Sequence, residues 1–69
     1  MPLALAELGV ECTIQRIGGK EETKRHLTNL GFIEGSIVTV VAHINGNVIV
    51  NVKDARIAIG KDMAMKIFV

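Results

Sequence analysis

The sequence predicts a small, mainly β protein in which one helix lies between the first and second of five strands. β-Branched residues dominate residues 36–60 and are interrupted there by turn signals, which indicates a strand-rich half. Glycines flank the one segment of helical composition, residues 20–30. Hydrophobic residues make up 49% of the chain, yet only two are aromatic, so the core must be aliphatic. Because short strands protect their edges best by closing on themselves, we expect a small barrel.

The first strand is predicted over residues 10–17, and a single helical turn is predicted before it. Its predicted inward residues alternate with polar ones along the strand. The inward residues are Val10, Cys12 and Ile14. Ile17 is out of step with this alternation, so we expect the strand to bend near its end. Three apolar residues carry the preceding turn: Leu3, Leu5 and Leu8.

The helix is predicted over residues 20–30, after a turn at Gly18-Gly19. Leu27 and Leu30 share one of its faces, three positions apart. A helix of about three turns is marginally stable alone. We therefore expect it to depend on the packing of these leucines.

A corner made by two glycines is predicted to return the chain from the helix to the sheet. Gly31 stands where a left-handed residue commonly ends a helix, and glycine adopts that conformation without strain. Phe32 should then fold back onto Leu27, the contact that accompanies such an end. Gly35 is predicted to make the second turn.

The second half should contain four strands, the first two joined at Asn45-Gly46, a strong hairpin signal. A two-residue loop would place Val38 and Val40 on the face opposite the three valines of the next strand. The loop could instead have three residues, 44–46, with a left-handed bulge at Gly46, and all five valines would then share one face. We prefer this loop because a small core requires one apolar face. The predicted strands are 36–44, 47–53, 55–60 and 65–69, with a tight turn or one turn of 3₁₀ helix at 61–64.

Composition narrows the classes of function. The 69 residues suit a single domain, 1–69, and the net charge of +1 with two Phe and no Trp or Tyr disfavours nucleic-acid binding. No signal peptide and no apolar run long enough to span a membrane is present, which favours the cytoplasm. One cysteine excludes an intrachain disulfide.

High aliphatic content in so short a chain should leave apolar surface exposed, which favours a protein partner or a homo-oligomer.

Candidate metal ligands are few and poorly spaced. Cys12, His26 and His43 form no CxxC, HxH or HExxH pattern. His26 follows Glu22 by four residues, which could pair them on one helix face, although a solvated face is the commoner explanation. No nucleophile, base and orienting group can be recognised together, so we expect a protein that is not an enzyme.

The motif L-x-x-L-G-F-x-x-G runs from Leu27 to Gly35. Together with the order of the other short motifs along nearly the whole chain, it resembles the FeoA family of bacterial ferrous iron transport. The other matching residues are Leu5, Leu8, Ile14, Ile17, Gly19, Val38, Val40, Ile57, Ala58, Ile59, Ala64, Ile67 and Val69. Two positions depart from the pattern: Glu11 stands where glycine is frequent, and Gly60-Lys61-Asp62 replaces a more basic segment.

This resemblance implies an SH3-like barrel and an accessory role beside the transporter FeoB, whose cytosolic part contains a GTPase domain. Similar domains end certain iron-dependent repressors, where they serve as interaction modules. We expect the chain to dock on the cytosolic part of FeoB at the inner face of the membrane and to modulate the transporter. The expected docking residues are Leu30, Gly31, Phe32, Ile33, Glu34 and Gly35. The alternative is a module that responds to Fe(II) or another divalent transition metal, assembled as an oligomer, with Cys12, His26 and His43 as candidate ligands.

Overall fold

The computed structural model describes residues 1–69, and its strands form two antiparallel sheets. The strands are β1 (Glu11–Thr13), β2 (Arg16–Ile17), β3 (Ile37–Ile44), β4 (Asn47–Val52), β5 (Ala55–Gly60) and β6 (Ile67–Phe68). One sheet has four strands in the order β1-β3-β4-β5, and the other pairs β2 with β6. Helix α1 spans Glu21–Leu30, helix α2 spans Lys61–Ala64, and a 3₁₀ turn covers Leu3–Leu5. The mainly β prediction, with a helix before the long hairpin, is confirmed.

The first predicted strand is two strands, so the prediction of five strands was wrong by one. The Ile14 amide donates to the Ser36 carbonyl at 2.9 Å, whereas the next amide, Gln15, donates to the Phe68 carbonyl at 2.7 Å. Consecutive amides therefore bond to different sheets, and the chain crosses between the sheets there. The bend that the sequence predicted near Ile17 corresponds to this crossing, which occurs at Ile14, three residues earlier in the chain. Val10, predicted to face inward, is 45% exposed.

The long hairpin places all five valines inward, but not by the predicted three-residue loop. Ile44 pairs with Asn47, so the loop has two residues, Asn45 and Gly46, with φ of 48° and 81°. Such a loop alone would put the valines of β3 and β4 on opposite faces. The register instead shifts between Val40 and Ala42, where a bulge at Val41 restores the phase. The valines it brings together are at most 2% exposed: Val38, Val40, Val48, Val50 and Val52.

The predicted helix end is confirmed. Gly31 has φ 108°, and its amide donates to the Thr28 carbonyl at 3.0 Å. The Phe32 amide donates to the Leu27 carbonyl, also at 3.0 Å, which completes a Schellman motif. Leu27 is buried and Leu30 packs against the core, as their shared face predicted. Lys61–Ala64, predicted as a tight turn or 3₁₀ turn, is instead a single α-helical turn.

The core takes side chains from both sheets and both helices and contains no polar or charged residue. Phe32 is its largest fully buried side chain, and aliphatic residues supply the rest. Besides the five valines, the core contains Leu3, Ala4, Ala6, Ile14, Ile17, Leu27, Ile59, Ala64 and Ile67. Apolar surface also remains outside, as composition predicted: eight large hydrophobic side chains are exposed, among them Leu5, Ile33, Ile37 and Ile44.

Candidate functional site

The corner between α1 and β3 borders a groove of about 310 Å³. We call it the corner groove, and its lining residues are Ile17, Lys24, Thr28, Phe32, Ile33 and Glu34. Three of these side chains are apolar, and the other three are the Lys24 ammonium, the Thr28 hydroxyl and the Glu34 carboxylate. Concave surfaces that bury apolar contacts beside a few polar groups are typical binding sites.

Two backbone turns hold the corner groove in shape. The Schellman motif at Gly31 directs Phe32 inward, where its side chain is 0% exposed. A β-turn follows, in which the Ser36 amide donates to the Ile33 carbonyl at 2.9 Å and Gly35 takes φ 90°. A positive φ at the third turn position is typical of a type II turn and favours glycine. The Gly35 amide also donates to the Ile14 carbonyl at 2.8 Å, which fixes the corner to the strand crossing.

The groove has an apolar floor and a charged rim. Phe32 and Ile17 are both buried, whereas Ile33 is 40% exposed. Lys24 and Glu34, both exposed, bring opposite charges to the rim. This arrangement suits an apolar side chain of a protein partner with polar groups on either side.

The structure separates the six predicted docking residues by role. Phe32, Ile33 and Glu34 line the groove, while Leu30 packs against the core and the two glycines make the turns. Sequence reasoning missed Ile17, Lys24 and Thr28. A signal for the last two was present, because Lys24 and Thr28 are four residues apart and so share the helix face that leads to the corner.

The candidate metal ligands lie on three different elements. Cys12 lies on β1, with its Sγ 3.6 Å from the Val10 carbonyl oxygen, and is half-buried against the core. His26 is exposed on α1, and His43 is exposed near the end of β3. No group of three or more His, Cys, Asp or Glu residues is positioned to hold a metal ion. A metal site built from these residues would therefore need ligands from outside the folded chain.

A larger concavity, of about 700 Å³, lies on the outer face of the four-stranded sheet. Its ten lining residues include only three hydrophobic ones, and two of its polar residues already bond each other: Arg56 Nε donates to Asn51 Oδ1 at 3.1 Å. It is open to solvent and lacks the buried aromatic floor of the corner groove. We therefore regard the smaller groove as the better candidate site.

Helices of this protein are all too short to cross a lipid bilayer. The longest is α1, with ten residues, whereas a membrane-spanning helix needs about 20.

Comparison with known proteins connects the fold to a family. The family model of the FeoA domain matches residues 1–69. The putative Fe(2+) transport protein A of Methanocaldococcus jannaschii is 38% identical over 68 residues, which cover 99% of this chain and 83% of that protein.

Solved structures show the same fold. The crystal structure of the iron uptake regulatory protein FeoA superposes with a TM-score of 0.88 at 28% identity, covering 97% of this chain and 91% of the other. Zinc-complexed FeoA of Stenotrophomonas maltophilia, described as an SH3 domain protein, has a TM-score of 0.86 at 24% identity, covering 100% and 88%. These likenesses confirm the SH3-like barrel. From the match over its whole length and its 38% identity to a Fe(2+) transport protein A, the chain belongs to the FeoA family of ferrous iron transport accessory proteins.

Proposed function

We propose that this protein is a non-enzymatic accessory of ferrous iron transport that docks through its corner groove on the cytosolic, GTPase-containing part of a FeoB-type transporter and modulates it. Family membership supports the link to ferrous iron transport. The observation that carries the docking surface is Ile33, an isoleucine 40% exposed between the buried Phe32 and the charged Glu34. In this scheme the protein acts at the cytoplasmic face of the membrane through its partner, and Fe(II) is cargo of the transporter.

Charge and shape together favour a protein partner at this groove. A partner side chain entering it would pack mainly on Ile33, the exposed apolar side chain of the groove, and remove water from that surface. Lys24 and Glu34 would then pair with charges of opposite sign on the partner's rim. Rim charges chiefly select the partner and speed the encounter, whereas the desolvated apolar centre supplies most of the affinity.

The test is an amide NMR titration of labelled protein with the soluble GTPase portion of the transporter, in the absence of metal. We expect shifts to cluster on residues 24–35 and on Ile17. Ile33→Ser should weaken binding by roughly tenfold or more if Ile33 is the central anchor, since truncating such an anchor costs about 2 kcal/mol or more and about 1.4 kcal/mol corresponds to tenfold. The rate of GTP hydrolysis, measured on the same samples, reports whether docking modulates the transporter.

Ile44→Ser is the matched control. Ile44 is also an exposed isoleucine, 53% against 40% for Ile33, and it lies at the end of β3, outside the groove. We expect this variant to bind as the wild type does. Equal loss in both variants would indicate nonspecific apolar contact, and no shifts at high concentration would contradict direct docking on this portion of the transporter.

A further inference from the structure

Strand β5 (Ala55–Gly60) is the one long edge of the four-stranded sheet. It lies at the end of the sheet and pairs only with β4 along its six residues, which extend about 20 Å. The opposite edge strand, β1, has only three residues. An edge strand presents unpaired amides and carbonyls that can pair with another strand.

The register identifies which groups of β5 are unpaired. The Lys61 amide donates to the Gly46 carbonyl at 3.0 Å, and Val48 lies opposite Ile59 and Val50 opposite Ile57. Because hydrogen-bonding direction alternates along an antiparallel strand, the amides and carbonyls of residues 57 and 59 point toward β4. Those of Arg56 and Ala58 point away from it, and neither residue contributes a backbone hydrogen bond outside the ladder.

This edge lacks most of the features that normally prevent strands from pairing. It contains no proline, no lysine and no bulge, and its register with β4 is continuous. Its only charged side chain is Arg56, and the hydrogen bond to Asn51 on β4 draws the guanidinium back over the sheet, away from the edge.

We propose that β5 pairs with β5 of a second copy of this chain, antiparallel, about a two-fold axis at Ile57. In this register Arg56 lies opposite Ala58 of the second copy, and Ala58 lies opposite its Arg56. Each of these two pairs exchanges two hydrogen bonds, so four bonds satisfy every outward amide and carbonyl of both residues. The two four-stranded sheets thereby become one sheet of eight strands.

Side chains favour a second copy as the occupant because the edge is complementary to itself in this register. Ile57 faces Ile57 of the second copy on the inner face, and Ala55 faces Ile59. Within residues 55–59 Arg56 faces only the small Ala58, so no two like charges are opposed inside the paired segment, and Lys53 and Lys61, which this register brings opposite each other, lie beyond its ends. The net charge of +1 gives little repulsion between whole copies. None of the residues lining the corner groove belongs to β5, so this pairing leaves the groove free.

The affinity should be low. One strand edge buries less than the about 1,200 Å² at which stable interfaces begin. We therefore expect a dissociation constant on the order of 0.1–1 mM. The matching measurement is NMR diffusion together with amide shifts of wild-type protein between about 0.05 and 2 mM. Concentration-dependent shifts should be largest at residues 55–60.

A pair of substitutions of opposite charge tests the register. Ala58→Glu would face Arg56 of the second copy and should lower the dissociation constant, whereas Ala58→Lys should raise it. Two symmetric cross-strand pairs imply a change of about 2- to 30-fold in each direction. Ala58 is exposed, so both variants should fold equally well, which their melting temperatures will check. The double variant Arg56→Glu with Ala58→Lys should restore pairing.

Three results would overturn the proposal. Unchanged diffusion up to about 2 mM would exclude self-pairing and would leave the edge to an extended segment of some other protein. Weaker association in both single variants would contradict the register. Shifts that spare residues 55–60 would assign any dimer to a different surface.

Discussion

The sheet of β3, β4 and β5 and the helix with its corner, residues 21–35, contribute differently to this molecule. In the sheet, five inward valines are at most 2% exposed, and the hairpin register admits no inward polar residue. In the ten residues of α1 only Leu27 is buried. Buried apolar surface is thus concentrated in the sheet, and the surface best suited to a partner lies beside a helix that buries a single side chain.

The largest expected effect comes from the side chain that joins these two regions. Phe32→Ala removes the largest fully buried side chain and leaves a cavity between corner and sheet. We expect the free energy of unfolding to fall by about 3–5 kcal/mol, which is a large share of the stability of a domain this small. Urea denaturation followed by circular dichroism measures it. A loss below about 1 kcal/mol would mean that the corner is not anchored through this ring.

Leu27→Ala should separate the two regions rather than unfold both equally. Removing a buried leucine costs about 2–5 kcal/mol, and Leu27 is the only buried residue of α1. We expect the amides of α1 to lose more protection against hydrogen exchange than the amides of β4, because local opening of the helix leaves the valine core intact. Equal loss of protection in both elements would contradict the contrast.

Gly31→Ala tests the backbone of the corner without altering its contacts. A Cβ at Gly31 would meet only Val52 Cγ1 at 3.9 Å, an ordinary distance, so any loss comes from the φ of 108°. We expect about 1–2 kcal/mol of destabilisation. Gly60→Ala is the matched control, because Gly60 has φ −63° and no atom near its Cβ position. It should change stability by no more than about 0.5 kcal/mol, and similar losses in both variants would refute the strain.

Ile33→Ser should have the smallest effect on stability. Its side chain is 40% exposed, and exposed substitutions usually change the free energy of unfolding by less than about 0.5 kcal/mol. A melting temperature equal to that of the wild type, together with lost binding to the transporter portion, would assign Ile33 to recognition. A drop comparable to that of Gly31→Ala would assign it to the fold.

Local signals made the helix and corner predictable, whereas the hairpin loop was not. Gly31 and Gly35 occur where their turns require a positive φ, and that chemistry is readable from neighbouring residues alone. The hydrophobic pattern of the hairpin requires one extra residue between the two sets of valines. It does not say whether that residue sits in the loop or in the strand. The structure places it at Val41, within β3.

Tertiary pairing explains the remaining differences. The first strand is divided because the Ile14 and Gln15 amides donate to different sheets. The irregularity at Ile17 indicates a bend, but no residue within 10–17 indicates that the second half pairs with another sheet. The corner groove was half predicted for the same reason. Phe32 to Glu34 were found from the corner motif, but Ile17 joins them only through the path of the first strand.

The bulge at Val41 makes the tip of the hairpin adjustable independently of the core. Deleting Val41 would join Val40 directly to Ala42, which already pair with Val50 and Ile49, so the ladder would become regular with every valine still inward. One-residue length changes normally invert a strand, but here the chain carries a residue that can be given up without that inversion. If a binding loop grafted at the hairpin tip adds one residue and so shifts the strand register, deleting Val41 would restore the register and keep the valines inward.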